Sequence, residues 1–132
     1  MKIMPGHAPG ASSERRGPTF TGTVWADPVL PVCDGVVINH VFFTPGARTH
    51  WHRHERGQVL HVTSGVGWAL TRDGDGGEIR SGDVVWFAPG EEHWHGACSG
   101  RAMSHLAISL GTTEWLDAVA DGDYERGQEP GG

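Results

Sequence analysis

Between Thr19 and Leu110 apolar and polar residues alternate in short runs, each closed by glycine, proline or a small polar cluster. A period of two marks half-buried β-strands, and the breakers mark the turns between them. The runs are TFTGTVW (19–25), DGVVINHVFF (34–43), THWHRH (49–54), QVLHVTS (58–64), GWALTR (67–72), GEIRSGDVVWF (77–87), HWHGAC (93–98) and AMSHLAISL (102–110). The 77–87 run holds two short strands around Ser81-Gly82-Asp83. Asp73 to Gly77 reads as a hairpin turn. After Gly111 the period changes. Trp115, Leu116 and Val119 fall at helical spacing behind Thr112 or Thr113 as N-cap, which predicts a short helix within 112–124 on the outside of the sheet. Residues 1–18, rich in Gly, Pro, Ser and charge, read as a flexible tail with an incidental His7, and 127–132 as another. One domain, 19–126, remains. Without βα alternation or an internal repeat, the pattern predicts an all-β sandwich or barrel, nearest a jelly roll, with a short C-terminal helix.

Composition narrows the function classes. A chain of 132 residues holds one core. The net charge is −6, with one lysine and no basic run, which argues against nucleic acid and against an anionic membrane surface as partners. No stretch approaches the ~20 apolar residues of a membrane span, and the start of the chain has no apolar signal-like core. A cytoplasmic protein is expected, with Cys33 and Cys98 as reduced thiols. Trp51, Trp68, Trp86, Trp94 and Trp115 are expected in the core or an interface, and Val84, Val85 and Phe87 in the core. So much apolar surface on a small chain predicts a homodimer or higher homo-oligomer, with the 19–25 segment adding a strand across it.

The nine histidines are the compositional outlier. Six fall in tight groups: His50, His52 and His54; His93 and His95; and His105. Alternate residues of a strand share a face, so His52 and His54 project together, with His50 at the same parity. Gln58 opens the next strand after the turn Glu55-Arg56-Gly57, and His93 supplies a third imidazole if the sheet brings its strand alongside. His52, His54, Gln58 and His93 are therefore the candidate ligands for one divalent ion. Three imidazoles and an amide oxygen suit Mn²⁺, Fe²⁺, Co²⁺, Ni²⁺ or Zn²⁺. His40 and His61 alternate to the outer face.

These motifs resemble the cupin family. Gly46-ARTHW-His52-R-His54-ERG-Gln58-VLHVTS-Gly65 matches the first cupin motif without a spacing error. Gly82-DVVWFA-Pro89-Gly90-EE-His93 matches the second, with the proline one place late. The resemblance spans about residues 19–124 and implies a double-stranded β-helix, the cupin jelly-roll barrel, around a metal. A closer likeness rests on GARTHWHRHERGQ, GDVVWFAPGEEHWHGA, MSHLAI and WLDAVADGDY. Together they resemble the small bacterial cupins with hydroxynitrile lyase activity, which implies Mn²⁺ as the metal and cleavage or formation of cyanohydrins as the reaction.

Most cupins carry Glu at the fourth ligand position, whereas this chain carries Gln58. One fewer negative charge makes the ion a stronger Lewis acid and harder to oxidise, which favours polarising an oxygen or nitrile over activating O₂. A histidine base suits neutral pH. His105 is the first candidate for base or cyanide-orienting group and His95 the second. Asn39, Val41, Phe43 and Ser109 are the candidate substrate-binding residues through the resemblance, with His50 as a further one that departs from the small residue usual in those lyases. Arg48 reads as a structural ion pair near the barrel mouth before it reads as an anion contact. The expected function is a hydroxynitrile lyase-like C–C lyase on a small molecule. A metal-dependent dioxygenase or isomerase, and a non-catalytic ligand-binding cupin, are the alternatives.

Overall fold

A computed structural model describes residues 1–6, 10 and 12–127, so His7 and residues 128–132 lie outside the described chain. The elements run β1 (Glu14–Arg15), β2 (Phe20–Thr21), β3 (Val24–Cys33), β4 (Val36–Phe43), β5 (Arg48–Thr49), β6 (His52–His54) and β7 (Gln58–Thr71). They continue with β8 (Gly76–Arg80), β9 (Val84–Phe87), β10 (His93–Ala97), β11 (Met103–Leu110), β12 (Thr113–Trp115) and α1 (Asp121–Gly127). One face of the barrel is β1-β3-β4-β11-β7-β9, antiparallel throughout. The opposite face joins β8, β7, β10, β5 and β2, with β6 and β12 alongside β10. The fold is a cupin-type jelly roll with one short C-terminal helix.

Strand β7 belongs to both faces and closes the barrel. Gln58 to Gly65 pairs with β11, and Gly67 to Thr71 pairs with β10. The alternation pattern reads as two strands here, but the chain curls through Gly65 and Gly67 without ending. Gly65 takes φ +79°, and a Cβ there would lie 2.0 Å from the Ala102 carbonyl oxygen, so only glycine fits the corner. Strand β3 was hidden beyond Trp25 by Pro28 and Pro31. It accommodates them with register shifts between Pro28 and Leu30 and between Leu30 and Cys33.

Two apolar clusters hold the layers together. Val24, Val41, Phe43, Leu60, Val62, Ala69, Phe87 and Met103 fill the space between the faces. Trp51, Leu70, Trp94, Val119 and Tyr124 form a second cluster. There α1 is fastened by Tyr124 Oη, which donates to the Ala97 carbonyl at 2.7 Å. The expected core placement fails for Val84, which is 66% exposed, and Trp86, expected in the core or an interface, is 55% exposed. Residues of β9 alternate faces, so Val85 and Phe87 turn inward and Val84 and Trp86 turn out. Cys33 and Cys98 are free thiols.

Two boundaries differ from the sequence reading. Residues 113–115 form strand β12 rather than a helix, and the helix starts only at Asp121. Strand β6 would otherwise leave backbone groups unpaired, and β12 satisfies them by pairing Thr113 with His54 and Trp115 with His52. The apolar residues 115, 116 and 119 thus share no helical face: Trp115 lies exposed on β12, and Leu116 and Val119 pack from the segment after it. At the other end the tail reading of 1–18 extends too far, since Glu14 and Arg15 pair with Ala26 and Trp25. Replacing Leu60, which is fully buried, by Ala is expected to cost about 2–5 kcal/mol. Tyr124→Phe should cost only about 1 kcal/mol. Urea unfolding at constant m-value checks both.

Candidate functional site

The barrel interior gathers His52 and His54 from β6, Gln58 from β7, His93 and His95 from β10, and His105 from β11, each at most 4% exposed. His52 Nδ1 donates to the His50 carbonyl at 2.9 Å, and His93 Nδ1 donates to the Glu91 carbonyl at 2.8 Å. These bonds fix the tautomer and leave each Nε2 with an unprotonated lone pair. His54 is held through Nδ1 by the Thr113 hydroxyl at 2.9 Å, and its Nε2 is buried without a hydrogen-bond partner. Gln58 donates from its amide nitrogen to Ser109 Oγ at 3.0 Å, which turns its Oε1 toward His93 Nε2 at 3.1 Å.

Burial pushes the His93 pKa down to about 3, so its Nε2 carries a lone pair. That lone pair is met either by a Gln58 amide turned so that its N–H donates to His93 and Ser109 donates to its oxygen, or by a cation that both His93 and Gln58 bind, and a donor set of imidazoles and an amide oxygen fits a divalent metal. Donor atoms of His52, His93 and His95 lie within 4.8 Å of one another. The His54 ring is 5.0 Å from that of His52 and 5.5 Å from that of His93, centre to centre. His95 therefore stands among the metal-ligating candidates as well as the catalytic ones.

The imidazoles are neutral at ordinary pH. Burial lowers His54 to about 4 and His105 to about 3, and takes His52 and His95 well below the usual 6.5. Repulsion from His93 adds at His52, and from His105 at His95. His95 Nδ1 and His105 Nε2 share a hydrogen bond at 3.0 Å, which leaves His95 Nε2 and His105 Nδ1 buried without hydrogen-bond partners. One proton in that bond has two consequences. If His105 donates it, His105 Nδ1 is a free base; if His95 donates it, His95 Nε2 is a free ligand.

A cavity of about 370 Å³ opens beside these rings. Asn39, Val41, Phe43 and Ser109 line it where alternation placed them, together with His95 and His105. His50 does not line it. The strand breaks at His50 and Trp51, so parity resets between β5 and β6, and Thr49 lines the cavity instead. The His50 backbone N–H is bound to the Thr19 carbonyl. Arg48 is also turned away, paired with Asp121 at 2.8 Å and lying over the Tyr124 ring. Arg16, Phe20, Thr113 and Trp115 line the cavity without having been anticipated. The first two were assigned to a tail and an interface strand, and the last two to a helix. No sequence signal marks them.

A family model described as a cupin domain matches residues 39–109, more than half of the chain. The chain belongs to the cupin family. This cupin is 46% identical over 125 residues to an (R)-mandelonitrile lyase of Granulicella tundricola, covering 89% of this chain and 95% of that protein. It superposes with TM-score 0.82 on a cupin-like protein of Thermotoga maritima, 37% identical, covering 88% and 96% of the two chains. The polyketide cyclase of Streptomyces resistomycificus, 21% identical with TM-score 0.71 over 98% and 94% of the chains, shares the fold. Among the described residues no helix is long and apolar enough to cross a membrane.

The buried imidazoles make the metal-free cupin acid-labile. Their folded pKa values lie below the unfolded 6.5, so below that pH the unfolded chain binds protons that the native site refuses. Stability is expected to be unaffected above pH 6.5 and to fall as pH drops toward about 4. Urea midpoints of chelator-treated protein at pH 7.5, 6 and 5 should decline accordingly, and His54→Gln should shallow the decline.

Proposed function

We propose that this cupin is a metal-dependent lyase of hydroxynitrile type, with Mn²⁺ held by His52, His54, Gln58 and His93. The observation that carries the metal is the convergence of buried imidazoles, with donor atoms of His52, His93 and His95 within 4.8 Å of one another and Gln58 Oε1 3.1 Å from His93 Nε2. Identity of 46% to a named mandelonitrile lyase supports the reaction class. Bound there, the ion supplies Lewis acidity to a substrate oxygen or nitrile.

The chain's own residues do the rest. Val41, Phe43 and Ala107 give the cavity apolar wall, and Asn39 and Ser109 place small polar groups in it. With Nε2–H donating to His95, His105 Nδ1 takes the cyanohydrin hydroxyl proton. As the O–H bond breaks, its electrons form the carbonyl and the C–C bond electrons leave with cyanide. A lone imidazolium is costly so deep in the barrel, so the proton passes on to cyanide, and aldehyde and hydrogen cyanide leave together. His95 orients His105 and lies closest to the ligand set. An outer sheet face with Trp25, Phe42, Val84 and Trp86 each at least 41% exposed supports a homodimer.

The His54 and His95 assignments are separable. Protein loaded with Mn²⁺ should lose bound metal in His52→Ala, His93→Ala and His54→Ala, read by elemental analysis. His95→Ala and His105→Ala should keep the metal and lose mandelonitrile cleavage by about 100-fold or more, the usual scale of general acid–base catalysis. Metal loss in His95→Ala with retention in His54→Ala would instead select the His52, His93 and His95 set.

A further inference from the structure

Arg16 lines the same cavity as His52, His95 and His105. It comes from the segment between β1 and β2, which the chain pins at three points. The Arg16 N–H donates to the Val24 carbonyl at 2.8 Å, the Phe20 N–H to the Gly17 carbonyl at 3.1 Å, and the His50 N–H to the Thr19 carbonyl at 2.9 Å. The Arg16 backbone is thus fixed at the cavity wall, and the residue is half-buried.

Among the described residues, Arg48, Arg53, Arg72, Arg80 and Arg126 each have a carboxylate partner. Arg16 has none, and no Asp or Glu lines the cavity. Arg15, Arg56 and Arg101 lie outside the cavity wall. In a chain of net charge −6, the cavity beside the imidazoles therefore has cationic and neutral walls only. Such a wall concentrates anions. A guanidinium recognises a carboxylate by two parallel N–H donations. At about 370 Å³ the cavity is near the lower end for small-molecule sites and takes a compact acid.

We propose that Arg16 is a specificity-determining residue, and that the physiological ligand is a small organic molecule with a carboxylate at the end remote from the imidazole cluster. Asn39, Ser109 and Thr113 meet its uncharged polar groups. Only the position of the reacting carbon, at the imidazole end, rests on the lyase reading. The charge preference does not.

Calorimetric titration of the protein as purified with benzoate and with its neutral analogue benzamide tests the preference without turnover. Wild type should bind benzoate at least about tenfold more tightly, on the scale of a charge-assisted bidentate contact. Arg16→Met should abolish the preference and leave benzamide binding unchanged, which also reports an intact fold, and Arg16→Lys should keep part of it. Equal binding of the two by wild type overturns the proposal. So does a preference that survives Arg16→Met, since the carboxylate would then sit at the metal end. In a second arm, kcat/KM for the cyanohydrin of 4-carboxybenzaldehyde should exceed that for mandelonitrile, with the ratio falling about tenfold in Arg16→Met. Benzoate preference lost in Arg16→Met without turnover of either cyanohydrin sinks the lyase reading and upholds this one. Turnover of both with no charge preference does the reverse.

Discussion

Buried, neutral imidazoles converging on one point are the constraint on which the site depends, with donor atoms of His52, His93 and His95 within 4.8 Å of one another and Gln58 Oε1 3.1 Å from His93 Nε2. Glu91 holds the His93 proton on the far side of the ring, and burial disfavours a second proton on the imidazole. His52 repeats the device, with its Nδ1 proton given to the His50 carbonyl. A cation is the simplest group that relieves such a cluster, and its positive charge would also make up for the hydrogen bonds that His54 Nε2 lacks. The site uses backbone carbonyls where other metal centres use carboxylates, so an ion held there would be weakly neutralised and a strong Lewis acid.

The barrel exists to present that cluster. Strand β7 starts at Gln58, curls through Gly65 and ends beside His93, so one strand carries a candidate ligand and also pairs with the strand of another. Strand β6 is three residues long and is held between β10 and β12. Strand β12 matters beyond its length, because Thr113 orients His54 and Trp115 stacks on His52 at 4.6 Å between ring centres. Phe87 stacks on His93 at 3.5 Å from the other side. Each imidazole thus has a proton acceptor or hydroxyl at one nitrogen, and apolar packing over the His52 and His93 faces, which limits both rotation and water.

The cavity extends this arrangement toward solvent. His105 shares a proton with His95, which places a base and a metal-ligating candidate in one hydrogen bond and couples their tautomers. Arg16 and Trp115 reach the same space from segments far apart in the chain. Charge on the cavity wall is therefore assembled from elements with no local relation to one another, while the outer surface stays acidic.

Much of this was legible in the chain. Alternation, glycine spacing and the two histidine motifs are local properties, and they set the all-β pattern, the shared face of His52 and His54 and the shared face of Asn39, Val41 and Phe43, while the resemblance to cupins supplied the inward direction of that face and of Ser109. Local pattern failed wherever a distant partner decided the outcome. Residues 113–115 became a strand because β6 needed backbone partners, and His50 left the cavity because Trp51 was drawn into the outer cluster and broke the strand's parity. Arg16 joined the cavity because the Val24 carbonyl, on another strand, captured its backbone. The sequence by itself determined which residues have the chemistry to hold a metal and on which face of each strand they lie. Only the tertiary structure decided which second wall closes over them, because that wall is built from unpaired backbone groups finding partners across the chain, and no local periodicity encodes such partners.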